Sequence, residues 1–238
     1  MRRQRTPRIP EGWWQPAPGV WTHRSWAPHG VVYGFAERSC SWTAQCQALR
    51  IPEERLVLLE QCHGAAVASV DRPTGQPVPA CDAAVTHQPE VALAIRTADC
   101  VPLVVYDTAK RLLGAAHIGW RGLVAGLPER LLRALATTWG SRPADLLAVM
   151  APSVRGCCYE VRADVAGQLP QDIHRARGRM TLDLPEAVRG RLLAAGLPEA
   201  MMLDAQRCTR CESERFFSVR GDGPATGRML TVAMLTPT

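Results

Sequence analysis

Three nearly unbroken apolar runs constrain this chain most: VALAIR at 91–96, PLVVYD at 102–107 and RLLGAAH at 111–117. A strand with one wet face alternates apolar and polar residues. These runs do not, so both of their faces must be covered. VVYGFA (31–36), RLVLLE (55–60), AVASV (66–70), LLAVMAP (146–152), MMLDA (201–205), RFFSV (215–219) and RMLTVAML (228–235) read as further strands. The covering elements are helices. Residues 127–140 place Leu131, Leu132 and Leu135 on one face, with Gly140 positioned to stop the helix. Turns over Gly122 to Gly126 precede Pro128, which kinks or restarts that helix. Residues 184–198 form a second amphipathic helix with Pro185 near its start. Interleaved strands and helices give a layered mixed α/β fold. The segment 71–80, DRPTGQPVPA, is a surface loop, so one domain is expected over 21–238 behind a flexible basic tail over 1–20.

The charge and cysteine content exclude several functional classes. The chain carries a net +6, but its single lysine is Lys110 and its arginines are spread along the whole sequence. No stretch interleaves basic and aromatic residues as a nucleic-acid groove does, so no nucleic-acid partner is expected. No apolar run approaches the ~18 residues of a membrane span, and the basic start lacks the apolar stretch of a secretory signal. Nine cysteines, an odd number, scatter through the chain and read as reduced thiols in a cytoplasm. Cys40, Cys46, Cys62 and Cys81 are expected to be small buried or incidental residues. Cys208-Thr209-Arg210-Cys211 has Cys-x-x-Cys spacing but no second pair at ligand spacing, so it reads as structural. Cys157-Cys158 reads as a turn packed against the site.

Chemistry concentrates in QCHGAAV (61–67), RTADC (96–100) and AAHIGWRG (115–122), each ending a strand-like run with one metal-ligand candidate. His63, Cys100 and His117 make a nitrogen/sulfur set suited to Zn²⁺, and three protein ligands leave a fourth position open. Cys100 falls at a strand-to-strand junction. Asp82 and Asp99 are candidates for orienting these ligands or moving a proton, and otherwise for capping strand-end turns.

These segments, together with CDAAVTHQPEVALAIRTADCVPLVVYD, APSVRGCCYEV and CTRCESERFFSVRGDGPATGRM, resemble the laccase-domain family, the multicopper polyphenol oxidase-like proteins. The resemblance runs from about Tyr33 to the C-terminus. It implies a four-layer α/β/β/α sandwich in a single domain, one zinc ion on His63, Cys100 and His117 as the catalytic centre, with copper second to zinc, and phosphorolysis of adenosine, inosine, guanosine and methylthioadenosine with adenosine deamination beside it. It also matches Arg38, Arg121 and Arg220 to family arginines, of which at least one is expected to face the phosphate or ribose. The implied partners are a purine nucleoside and phosphate. The laccase label finds no support in the residues, because none of the six histidines forms the His-x-His pairs of blue-copper oxidases.

Two readings compete. Cys100 as a thiolate nucleophile with His117 as base would make a hydrolase. A non-catalytic nucleotide- or partner-binding module is the third, motivated by ERSCSWTAQCQALRIP (37–52), which lacks the Gly-Gly-Val-Ser…Asn-Leu segment usual in the family.

Overall fold

The computed structural model describes residues 11–237 as a mixed α/β body built on two six-stranded sheets. In spatial order the first sheet is β1 (Trp13–Ala17), β2 (Val20–His23), β3 (Val31–Ala36), β14 (Met229–Leu235), β7 (Ala92–Thr97) and β4 (Leu56–Leu58). The second is β13 (Met202–Asp204), β10 (Leu146–Met150), β8 (Val101–Asp107), β9 (Leu112–Ile118), β6 (Ala83–Thr86) and β5 (Val67–Ser69). A separate hairpin joins β11 (Ile173–Ala176) to β12 (Arg179–Leu182). The helices are α1 (Trp42–Leu49), α2 (Trp120–Val124), α3 (Leu127–Trp139), α4 (Ala163–Gln168), α5 (Leu184–Ala194) and α6 (Val219–Asp222).

The unbroken apolar runs have the explanation expected of them. Successive side chains of a strand point to opposite faces. Along β8, Leu103 and Val105 join a core with Leu127, Leu131 and Leu135 of α3 and with Val188 and Leu192 of α5. Val104 and Tyr106 instead join Leu93, Ile95 and Phe35 of the other sheet. On β7 the alternate residues Ala92 and Ala94 pack with Leu49 of α1. Each fully buried Leu or Val contributes about 1.5–3 kcal/mol, so a polar residue on either face of β8 would be costly.

Helix ends follow local chemistry. Ser41 caps α1, its Oγ accepting from Ala44 N at 3.1 Å. Asp183 does the same for α5, accepting from Glu186 N at 3.2 Å. Helix α2 stops at Val124 and α3 restarts with Pro128 in its first turn. Gly140, with φ 69°, closes α3 in the left-handed conformation. Thus the stretch lacking the usual family segment still forms a capped helix, α1, and none of residues 39–52 lines the cavities that contain Cys100.

Two expectations need correction. The tail expected over 1–20 is not a tail from Trp13 onward: β1 pairs with β2, Trp13 opposite His23, and buries Trp13 against Tyr33 and Phe35. The first ten residues lie outside the described ones. RFFSV is not a strand. Arg215 N and Phe216 N both donate to Glu212 O at 2.9 Å, and Ser218 then caps α6 through Gly221 N at 3.0 Å. Phe216 is buried as an anchor for this turn. Of the four cysteines expected to be buried or incidental, Cys46 and Cys81 are buried, Cys40 is half-buried and Cys62 is exposed. Among the described residues, no helix is long and apolar enough to cross a membrane.

Candidate metal centre

Cys100 lies in the three-residue link between β7 and β8, where the chain leaves one sheet and enters the other. His117 is carried by β9 and pairs in register with Pro102 of β8, so the shared ladder brings it beside Cys100. His63 comes from the loop between β4 and β5, a segment with no ladder of its own to hold it. The buried carboxylate of Asp82 does so instead. Oδ1 accepts from His63 N at 2.9 Å, while Oδ2 accepts from Gly64 N at 2.7 Å, from Cys62 N at 3.1 Å and from the Cys62 thiol at 3.2 Å. These bonds offset the left-handed backbone of His63, whose φ is 60°. Gln61 adds a reciprocal pair with the backbone of Arg96 on β7, at 2.7 and 2.9 Å.

Asp82 also fixes the second imidazole. Its Oδ1 lies 2.8 Å from His117 Nδ1, which leaves the other ring nitrogen of His117 to face the cluster. A carboxylate behind a histidine is how metal sites fix the ring and its tautomer. The three ligand atoms lie within 4.8 Å of one another, with Cys100 Sγ 3.9 Å from His63 Nε2. The two imidazole rings meet edge to face at 4.8 Å between centroids. Tetrahedral Zn²⁺ with bonds of about 2.0–2.3 Å separates its donors by about 3.3–3.8 Å, so small side-chain adjustments close this set on an ion. Gly119 keeps the space clear: a Cβ there would stand 3.0 Å from His63 Cδ2 and 3.2 Å from Cys100 Sγ.

The electrostatics match a cation site. Burial raises the Cys100 thiol, but hydrogen bonds from His117 and His63 outweigh it and lower its pKa to about 6. Burial lowers His117, yet its bonds to Asp82 and Cys100 raise it to about 9. Asp82 feels burial in the opposite sense and is still held well below the usual carboxylate range by His117, Cys62 and Gly64. Between pH 6 and 9 the metal-free site is therefore a thiolate beside an imidazolium, and an incoming cation displaces one proton. Zinc affinity should tighten by about tenfold per pH unit through that window, level off above about pH 9, and fall more steeply below about pH 6, where Cys100 also holds a proton. Competition titrations against a chelator of known affinity read this directly; an affinity flat from pH 6 to 9 contradicts it.

Two cavities share His63, Ala98, Cys100 and Val219. One, of about 280 Å³, is walled by Trp120, Arg121, Tyr159 and Arg220. The other, of about 450 Å³, is walled by Gln61, Arg96, His117 and Arg228. Arg121 lies over the Trp120 ring at 4.4 Å and Arg220 over Tyr159 at 4.8 Å, both on the smaller cavity. Arg38 is not among the lining residues of either cavity. It donates to Ser213 O, pairs with Asp222 at 3.3 Å and covers Phe217 at 4.7 Å. Asp99, with φ 95°, makes no hydrogen bond to a ligand side chain. Its carboxylate accepts from Thr209 Oγ1 at 2.6 Å, Ser218 Oγ at 2.7 Å and Arg220 N at 2.7 Å, fastening the C-terminal loop beside Cys100. Sequence reasoning missed Arg96, Arg228 and Tyr159, which lie in strand ends and loops with no recognisable spacing. It also missed the second cysteine pair for Cys208 and Cys211, which is Cys157-Cys158.

Residues 40–236 match the family described as multi-copper polyphenol oxidoreductase laccase. The purine nucleoside phosphorylase YlmD of Geobacillus stearothermophilus is 37% identical over 199 residues, covering 76% of this chain and 73% of the relative. The crystal structure of that YlmD superposes with a TM-score of 0.87 over 96% of this chain and 100% of its own, at 30% identity. The purine nucleoside phosphorylase SCO2081 of Streptomyces coelicolor is 40% identical over 189 residues, 77% of this chain and 76% of the relative. The adenosine deaminase RL5, from an unknown prokaryotic organism, is 31% identical over 200 residues, 77% and 76% respectively.

Proposed function

Because the chain belongs to the multi-copper polyphenol oxidoreductase laccase family, we propose that it is a zinc-dependent purine nucleoside phosphorylase with adenosine deaminase activity beside it. The observation that carries this reading is the convergence of His63, Cys100 and His117 on a cleft, in a chain whose relatives bear those two names. The substrates are adenosine, inosine, guanosine and methylthioadenosine, with inorganic phosphate as co-substrate. The nine unpaired thiols fit a cytoplasmic setting.

His63, Cys100 and His117 would hold the ion, and the mixed N/S donor set favours zinc over a hard cation such as Mg²⁺. Zinc, when bound, supplies a Lewis acid and lowers the pKa of water to about 7, which suits attack at C6 of adenine. In phosphorolysis a phosphate oxygen bonds to the ribose anomeric carbon as the glycosidic bond breaks, and that bond's electron pair leaves on the purine. The products are ribose 1-phosphate and the free base. Arg121 and Arg220, held over aromatic faces on the smaller cavity, are assigned to the phosphate, where a guanidinium can bind two oxygens at once. A charge-assisted hydrogen bond contributes about 1.5–3 kcal/mol, so Arg220→Ala should raise the KM for phosphate about 10- to 100-fold, more than the KM for inosine. Initial-rate kinetics varying each substrate in turn separates the two, and equal effects on both remove Arg220 from phosphate binding. Arg38→Ala should leave both constants nearly unchanged, because its guanidinium is committed to Ser213 and Asp222.

The direct test incubates zinc-loaded protein with inosine and phosphate and follows hypoxanthine and ribose 1-phosphate. Absence of both products, with the metal confirmed in place, overturns the reading. A second reading rests on one observation: Asp82, His117 and Cys100 are linked as carboxylate, imidazole and thiolate, the arrangement of a cysteine hydrolase. A bound cation ties up that thiolate. Rapid alkylation of Cys100 in protein that retains stoichiometric zinc would favour the hydrolase.

A further inference from the structure

Four more thiols meet beside the same pocket. Cys157 and Cys158 lie in the loop after β10 that carries Tyr159, and Cys208 and Cys211 lie in the turns after β13. All four sulfurs lie within 4.8 Å of one another. Cys158 Sγ is 3.3 Å and Cys157 Sγ 3.6 Å from Cys211 Sγ. Four thiolates around tetrahedral zinc, at a Zn–S bond of about 2.3 Å, stand about 3.8 Å apart. One disulfide would use two of these sulfurs and leave two thiols pressed against it, two disulfides would use all four, and one cation uses all four as thiolates.

The two loops are already joined by backbone. Ser153 N donates to Arg207 O at 3.3 Å and Thr209 N to Ser153 O at 3.1 Å, which brings Cys208 alongside the 153–158 segment. Arg210 Nη1 donates to Cys158 O at 3.3 Å. Backbone amides of Arg155, Cys211 and Arg210 turn toward the Cys208 sulfur. A divalent ion on four thiolates carries a net charge of −2. Arg210 sets a cation beside it, and Arg155, though paired with Asp204 at 2.8 Å, is close enough to Cys208 to feel its charge.

We infer that Cys157, Cys158, Cys208 and Cys211 form a second metal site, a closed tetrathiolate for Zn²⁺ that shares no ligand with His63, Cys100 and His117. A closed site of this kind has no open position for substrate, so its role is to clip two loops together. Those loops shape the catalytic cleft. Tyr159 follows Cys158 directly and lies against Arg220. Thr209, between Cys208 and Cys211, donates to the Asp99 carboxylate next to Cys100. The clip thus holds one wall of the smaller cavity.

The experiment uses the full chain purified under reducing conditions, stripped by chelator and refilled with Co²⁺. Two Co²⁺ per chain are expected, one giving the intense sulfur-to-cobalt charge-transfer absorption of a tetrathiolate. Cys157→Ser with Cys211→Ser should reduce the stoichiometry to one and abolish that absorption, while His117→Ala should keep it. Should the double variant fail to fold, alkylation of the wild-type protein decides, because zinc should protect all four cysteines together and chelation expose them. Alkylation of these four at the same rate with and without zinc overturns the site. So does an intact mass short of two or four hydrogens that dithiothreitol restores, which would identify disulfides. None of these readouts depends on turnover, so the catalytic assignment and the second site fail separately.

Discussion

Cys100→Ala should lower phosphorolysis by at least about 1,000-fold and zinc affinity at the catalytic centre by a comparable factor, with the fold intact. Removing one of three protein ligands leaves two imidazoles, too few to fix an ion with a single open position. Loss of one group that acts at the reacting centre commonly costs 100- to 1,000-fold, and here the ion departs with it. The fold survives because Cys100 is only half buried, at the strand junction, and belongs to none of the three apolar cores. Elemental analysis, circular dichroism and product assays on the same preparation check the three parts. Normal turnover by the variant would place the chemistry elsewhere.

Asp82→Asn carries the second large effect, and it falls on stability as well as on the metal. The Asp82 carboxylate is fully buried and accepts from three backbone amides, a thiol and an imidazole. An asparagine has one acceptor oxygen, and its amide hydrogens would face donors on the other side. Leaving such buried donors unpaired costs about 3–5 kcal/mol. For a domain of this size that lowers Tm by about 6–20 °C. Zinc affinity should fall a further 10- to 100-fold, because His63 and His117 lose the group that orients them. The sign of the acid dependence follows from the depressed carboxyl. Its stabilisation is complete above about pH 4, the unfolded value, and is lost only as pH falls through the lower folded value. Thermal melts of the stripped and zinc-loaded variant measure both effects. A variant as stable as the parent would show that the loop around His63 is held by something else.

Much of this architecture was legible because burial on both faces writes itself into sequence. β7, β8 and β9 lie between two cores each, so nearly every residue is apolar and a run of seven is unmistakable. α3 was legible for the complementary reason, having a single apolar stripe closed by Gly140. Elements without such a pattern were not, even where their partners are close in sequence. Among the described residues β1 pairs only with β2, and its tryptophans follow a basic, proline-rich start that reads as tail. RFFSV has strand-like residues, but Glu212 draws their amides into a turn. The mistaken period arises from side chains, and the decisive bond is to a backbone carbonyl that sequence patterns do not reveal.

The same distinction holds at the site. His63, Cys100 and His117 were legible as ligand types at strand ends, and the structure brings them together. Asp82 was named as a candidate to orient them, but the groups it and Asp99 hold were not legible. Asp82 binds a loop about twenty residues before it and a strand thirty-five after it, and Asp99 holds residues more than a hundred positions away. Arg38 matched a family position yet turns to the C-terminal loop, because Asp222 and the Phe217 ring offer it a partner and a face. The cysteine tetrad was invisible for a similar reason. Cys157-Cys158 and Cys208-Cys211 lie fifty residues apart, and the pairing of β10 with β13, continued by the Ser153–Cys208 bridge, brings their loops side by side.

The central claim is that two imidazoles and one thiolate hold a cation at the mouth of the cleft. Diffraction from zinc-loaded crystals at the zinc absorption edge tests it most directly. The account predicts an anomalous peak within about 2.0–2.3 Å of His63, Cys100 Sγ and His117 together. Zinc-soaked crystals with no peak there, or with the three side chains turned apart, would contradict it.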